Sequence, residues 1–256
     1  MTAPALFTPD EPAPVRVPRE GGASDFVLTA DHAGKVIPRR LGDLGIAAAD
    51  LERHIAWDIG IAGVTERLSA ALDAAAALQA YSRLVIDCNR DPSWPSAIPV
   101  ISEHTEIPGN RNLTDADRAV RVNEIFRPYH DRIGSLLDTR AAAGRRTVLV
   151  AMHSFTPVFK GEPRAIEVGV LYFRRTRLAE IMLDLLRAEG DLTVGENAPY
   201  ALTLDSDYSV PFHAERRGLE HVEIEIRQDL ITTPEGQAAW AARFAQLLTA
   251  ALPRLG

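Results

Sequence analysis

The order of apolar and polar residues divides the chain into short apolar runs and longer amphipathic stretches. Apolar runs bounded by polar residues predict strands at about 26–31, 78–86, 146–150 and 166–172. A fifth run, His221 to Arg227, alternates strictly, which predicts a half-buried strand with Glu223 and Glu225 on one face. Helical spacing of Leu51, Ile55, Ile59 and Val64 predicts a helix over 47–76, on which His54 and Asp58 lie four apart and share a face. A second helix is predicted over 114–143, opened by Thr114 with Asp117 three residues on and closed by Gly144. Two more are predicted over 176–190 and 233–252, the last with Pro234 at its first position. Strands alternating with helices predict an α/β fold: a single domain with a mixed, largely parallel sheet flanked by helices.

Proline-rich residues 1–24 read as an irregular N-terminal arm, leaving 25–256 as the domain. A second proline-broken stretch, 91–113, carries Trp94, Ile98 and His104, too much apolar content for disorder, and reads as a functional loop. Three predicted strands run into polar, chemically capable residues. These are Asp31-His32-Ala33-Gly34, then Asp87-Cys88-Asn89-Arg90, then His153-Ser154-Phe155. Ligands of open α/β sheets sit outside the carboxyl ends of the strands, so these ends are expected to converge.

Composition narrows the classes. A net charge of −7 without a basic patch argues against nucleic acid. The single cysteine, Cys88, excludes an internal disulfide and fits a reducing compartment. The proline-rich start lacks the apolar core of a signal peptide, and no window has the length of a membrane span. A cytoplasmic enzyme acting on a small molecule is the expectation; oligomeric state is not legible.

Three constellations carry candidate chemistry. His32, His153 and an acid from the His54/Asp58 pair would form a three-ligand metal site with an open position, the form of a catalytic zinc centre, although an isolated histidine is more often a packed residue. Glu223 or Glu225 is a candidate general base if the carboxylate face is not simply solvated. Asn89 and Arg90, with Arg111, Arg118 and Arg121, are candidates for holding a carboxylate, which arginine binds through two parallel hydrogen bonds. Cys88 has no neighbouring base, and Ser154 lacks the glycines of a nucleophile elbow.

Taken in order, several motifs resemble those of the N-formylglutamate amidohydrolase family. They are Asp31-His32-Ala33-Gly34, Ser82-Arg83 through Asn89-Arg90, Arg111-Asn112-Leu113-Thr114, Pro128-Tyr129-His130, His153-Ser154-Phe155, Asn197-Ala198-Pro199-Tyr200 and Glu225. The resemblance runs from about residue 25 to 250. It implies a fold similar to zinc-dependent carboxypeptidases and hydrolysis of the amide of a small, acidic N-acyl amino acid such as N-formylglutamate. It implies zinc or another divalent metal on His32, His153 and Asp58, with His54 as an alternative ligand or a substrate contact. Glu225 would be the base, and Asn89, Arg90 and Arg111 would hold the substrate. Asp31-His32-Ala33-Gly34 stands where many members have Pro-His-Ser-Gly, and His54/Asp58 where many have Asp-x-x-x-Asp, so the chain resembles a divergent member. A binding protein that kept only the fold, or a carboxypeptidase-like peptidase, are the competing expectations.

Overall fold

The computed structural model describes residues 5–203 and 206–256. In chain order, the elements begin with β1 (Val15–Arg16), β2 (Phe26–Ala30), α1 (Ala48–Leu51), α2 (Ile61–Leu72) and β3 (Ala75–Gln79). A hairpin, β4 (Ile101–Ser102) and β5 (Thr105–Glu106), precedes α3 (Asp115–Arg121), which runs through a π turn at Val122–Phe126 into α4 (Arg127–Ala142). Next come β6 (Val148–Phe155), a hairpin of β7 (Val158–Phe159) and β8 (Glu162–Pro163), β9 (Val168–Leu171), α5 (Arg177–Glu189) and β10 (Val194–Glu196). The chain closes with β11 (Glu220–Arg227) and α6 (Pro234–Ala251).

Among the described residues, seven strands form one sheet in the order β1-β3-β2-β6-β11-β9-β10. The run β3-β2-β6-β11 is parallel, β9 joins β11 antiparallel, and β1 lies antiparallel on β3. The sheet is therefore mixed and largely parallel, and helices flank it. Side chains of period two point to opposite faces. Phe26, Leu28, Val148, Val150, Met152, Val222, Ile224 and Ile226 face one core, against α2, α5 and α6. Val27, Leu149 and Ala151 face a second core with Tyr129, Ile133 and Leu137 of α4. Each fully buried Val, Leu or Ile contributes about 2 kcal/mol.

Helix ends follow local chemistry. The Thr114 hydroxyl accepts the Asp117 N–H at 3.2 Å and the Asp117 carboxylate accepts the Thr114 N–H at 3.0 Å, a complete capping box. The Thr176 and Thr233 hydroxyls cap α5 and α6 by accepting the Ala179 and Gly236 N–H groups. Among the described residues no helix is long and apolar enough to cross a membrane.

Four predicted elements need correction. The helix expected over 47–76 is broken: α1 and α2 are separated by an irregular turn that holds His54 and Asp58, so these two do not share a helix face. Gly60 sits at φ 83°, where a Cβ would lie 2.1 Å from the Ile231 carbonyl oxygen, and this fixes the turn. The alanines at 75–77 form β3 rather than helix, because pairing with β2 overrides their propensity. Residues 82–86, all buried except the half-buried Arg83, are not a strand. The Ser82 hydroxyl donates to the Ala56 carbonyl at 2.7 Å and Val85 N–H closes a turn on Ser82. Finally, β6 continues through His153, and β11 is buried on both faces rather than half-solvated. The arm is not wholly irregular either, since it contributes β1.

His130 on α4 stacks on His213 with ring centroids 5.1 Å apart. His130 Nε2 lies 2.8 Å from the Cys88 carbonyl, which can only accept, so Nε2 carries the proton. His130 Nδ1 then accepts from His213 Nε2 at 2.9 Å. A second proton on His130 would set two N–H groups face to face. Burial pushes the His130 pKa down to about 4 and that of His213, with the His130 charge adding to burial, to about 2. A histidine with a lowered folded pKa takes up its proton first in the unfolded chain. Its stability contribution is therefore complete above about pH 6.5 and is lost as pH falls toward 4, by roughly 3 kcal/mol for His130 alone. Denaturant unfolding of wild type and His130→Gln between pH 7 and 4 checks this. The variant is less stable at pH 7 but declines less steeply on acidification; parallel declines would exclude the pair as a source of acid sensitivity.

Candidate active site

The parallel strands deliver polar groups to the face of the second core. His32 follows β2, and its carbonyl accepts the Asp58 N–H at 2.9 Å, which pins the turn between α1 and α2 against the sheet. His153 lies in β6, one period after Leu149 and Ala151. On β11, Glu225 stands in register with His153 and Glu223 with Ala151. All five side chains are buried.

Asp58 is the hub. Its Oδ2 lies 3.0 Å from His153 Nδ1 and 3.5 Å from His32 Nδ1, and it accepts the Ser154 N–H at 3.2 Å. One ligand atom from each of His32, Asp58 and His153 lies within 4.8 Å of the others. The outer nitrogens are held from behind. His32 Nε2 is 2.7 Å from Asp87 Oδ1, while Arg83 donates twice to Asp87 Oδ2, at 2.6 and 3.1 Å. His153 Nε2 faces Asp31 at 3.6 Å and Glu223 at 3.9 Å. Both imidazoles thus aim Nδ1 at the same point. His32 Nδ1, Glu223 Oε2 and Glu225 Oε2 are buried without a hydrogen-bond partner among the described residues. Buried polar atoms are rarely left so. Two imidazoles and a carboxylate whose ligand atoms converge, with His32 Nδ1 left without a hydrogen bond, fit a zinc ion or another divalent cation.

The electrostatics follow from burial and from mutual charge. Burial works against charge on His32 and His153, but for His32 Asp87 and Asp58 outweigh it, and for His153 Glu223, Asp58 and Asp31 do so; both pKa values end raised. Burial would raise Asp58, yet the two histidines bring it far below the usual carboxylate range. Asp87 is likewise held low by Arg83 and His32 against its burial. Glu225 is pushed the other way, up to about 8, by burial above all, with Asp58 adding to it. Burial also pushes Glu223 well up, so two kinds of carboxyl group share one site, Asp58 and Asp87 held as anions and the two β11 glutamates raised.

A cavity of about 460 Å³ opens over this cluster. Arg90 and Asn89 line it, but Asn89 is already committed. Its Oδ1 accepts the N–H groups of Tyr208 and Ser209, both at 3.0 Å, and its Nδ2 donates to Asp207. Asn89 therefore shapes the wall by anchoring the 207–209 segment, with one Nδ2 hydrogen left beyond the bond to Asp207. Arg90 Nη1 donates to the carbonyls of Asn89 and Ser206, while Nε and Nη2 have no protein partner among the described residues. His54 lines the cavity with Nε2 3.7 Å from Glu103, outside the donor set, so Asp58 and not His54 reaches both imidazoles. Arg111 does not join the site: it is exposed and pairs with Glu106 at 2.7 Å. Arg118 is exposed, and Arg121 is buried on the Val85 carbonyl and Asn110. The buried thiol of Cys88 is pushed well up by burial, as an inert cysteine would be.

Asp87, Arg83 and Asp31 have contacts here that sequence reasoning did not assign. The signal for the first two was the i, i+4 spacing of Arg83 and Asp87 just after a strand; Asp31 had only its place beside His32.

Residues 24–232 match the family model described as N-formylglutamate amidohydrolase. No curated protein matches the chain. Among solved structures, the gene product Atu2144 from Agrobacterium tumefaciens superposes with a TM-score of 0.94 at 42% identity, over 98% of this chain and 99% of that one. The N-formylglutamate amidohydrolase from Ralstonia eutropha JMP134 superposes with a TM-score of 0.69 at 20% identity, over 94% of this chain and 98% of that one, a likeness of fold. The family match spans both histidines, Asp58 and both β11 glutamates, and on that match this chain belongs to the N-formylglutamate amidohydrolase family.

Proposed function

We propose that this chain is a metal-dependent amidohydrolase that cleaves the amide of a small N-acyl amino acid, the N-formyl amino acids being the first class to test. The observation that carries this reading is the convergence of His32, Asp58 and His153 within 4.8 Å, beside the unpartnered carboxyl of Glu225. Family membership supports the reaction type.

His32 and His153 would hold the cation through Nδ1 and Asp58 through its carboxylate. When bound, a divalent cation supplies Lewis acidity to the amide carbonyl and lowers the pKa of a water. Glu225 takes the proton of the attacking water and delivers it to the departing amine. The water oxygen forms a bond to the acyl carbon, the C–N bond breaks, and a carboxylic acid and a free amino acid leave. Asp87, hydrogen-bonded to His32 Nε2, fixes that ring, as outer carboxylates orient metal-binding imidazoles; Glu223 and Asp31 lie behind His153 Nε2. Arg90, through its free Nε and Nη2, orients the substrate carboxylate. The cavity volume suits a small ligand.

His153→Ala is expected to lose bound zinc and hydrolysis of N-formyl amino acids together, read by elemental analysis and by amine release. A variant that keeps both would remove His153 from the site. Glu225→Gln should retain the metal and lose about a hundredfold or more in kcat; unchanged turnover would pass the base role elsewhere. Asp87→Asn should weaken zinc affinity by roughly 10–100-fold in a chelator competition, and wild-type affinity would contradict the orienting role. Arg90→Lys should raise KM by about tenfold with kcat nearly kept, because the two-pronged grip is lost.

A further inference from the structure

The cavity has two zones. Its floor is the charged cluster, and above it one side is apolar, lined by Ile101 of β4, Phe159 of β7 and Tyr200, with Leu202 buried beneath. Ile101 is 56% exposed and Tyr200 40%, and the similarly exposed Val100 and Val158 adjoin Ile101 and Phe159 in sequence. Two of the five exposed large apolar side chains among the described residues, Ile101 and Tyr200, therefore line this cavity. Scattered exposed apolar residues are ordinary, whereas a cluster at a cavity mouth marks a binding surface. The two hairpins are tied together there, because the Lys160 N–H donates to Glu103 Oε1 at 3.2 Å.

Positive charge is scarce in the same cavity. Apart from histidines, Arg83 and Arg90 are its cationic lining among the described residues. Arg83 is consumed by Asp87 and stands 3.6 Å from Asp58. Arg83 Nη1 faces Asp58, whereas Arg90 keeps Nε and Nη2 without a hydrogen bond among the described residues, its Nη1 standing 3.9 Å from Asp207. His54 adds no charge at neutral pH, since burial lowers its pKa. Arg164, outside the lining, is stacked on Phe155, Phe159 and Tyr200 and donates to the Tyr200 hydroxyl at 2.6 Å. Glu103 and Asp207 add negative charge to the walls. One carboxylate of a substrate has a partner; a second would meet apolar side chains and acids. Leaving a buried charge unpaired is costly.

We infer that the substrates are N-acyl amino acids with one carboxylate and an apolar side chain, which Ile101, Phe159 and Tyr200 receive, rather than dicarboxylates such as N-formylglutamate. This rests on the proposed hydrolysis, and the test separates the two. The zinc-loaded protein is given N-formyl derivatives of leucine, methionine, phenylalanine, glutamate and aspartate, and kcat/KM is measured. The apolar compounds are expected to exceed glutamate by tenfold or more. Ile101→Lys, which places a cation at the mouth, should shrink that ratio at least tenfold. The same compounds are titrated calorimetrically into the metal-free protein. If none is hydrolysed but the apolar ones bind more tightly, the hydrolysis reading fails and this one stands. If N-formylglutamate is turned over or bound as well as the apolar compounds, or if Ile101→Lys leaves the ratio unchanged, the inference is overturned.

Discussion

Everything at the site depends on the burial of the Asp58 carboxylate. An anion removed from water costs several kcal/mol unless charges and donors surround it. Here the compensation comes from distant parts of the chain: the imidazole after β2, the imidazole and backbone N–H at the end of β6, and Arg83 beyond β3. The two histidines need outer carboxylates of their own, which Asp87, Asp31 and Glu223 provide. The network is thus self-supporting only as a whole. Loss of one member leaves a buried charge without a partner, which costs more than the pair is worth.

The sheet makes this possible. In its central strands the odd and even positions serve different environments, neither of them solvent. On β11, Val222, Ile224 and Ile226 fill the first core while Glu223 and Glu225 face the cavity. Because β6 and β11 are parallel and in register, one alternation sets His153 and Glu225 side by side. Side chains carried on rigid strands hold their geometry with little freedom to lose.

The sequence carried much of this and misled at identifiable points. Strand–helix alternation yielded the sheet, and Thr114, Thr176, Thr233 and Gly190 marked helix ends because capping is local chemistry. The pairing of His32 with His153 was legible as two strand ends, though His153 lies inside its strand. Asp58 was favoured over His54 on the resemblance; the helix face that their spacing suggested does not form, and the turn before Gly60 places Asp58 instead. Strict alternation in 221–227 reads the same whether the polar face meets water or a cavity, so the burial of Glu223 and Glu225 was not decidable. Asn89 and Arg111 show the opposite limit. Residue type advertised anion binding, but their partners, Tyr208, Ser209, Asp207 and Glu106, are fixed by tertiary contacts that spacing does not encode.

The strand added by the N-terminal arm bears on colloidal behaviour. Without β1, the outer strand of the sheet would be β3, a five-residue run of small and apolar side chains with its hydrogen-bonding groups bare. Such a strand is a template for joining another chain edge to edge. β1 covers it over only two residue pairs and ends in Arg16, which reaches back to Glu66 at 2.7 Å. At the opposite edge β10 is only three residues long and ends in Glu196, which is met by Arg187 and Arg175. Both borders of the sheet are therefore short and charged. The proline-rich segment thus hems an edge that would otherwise be open to another strand.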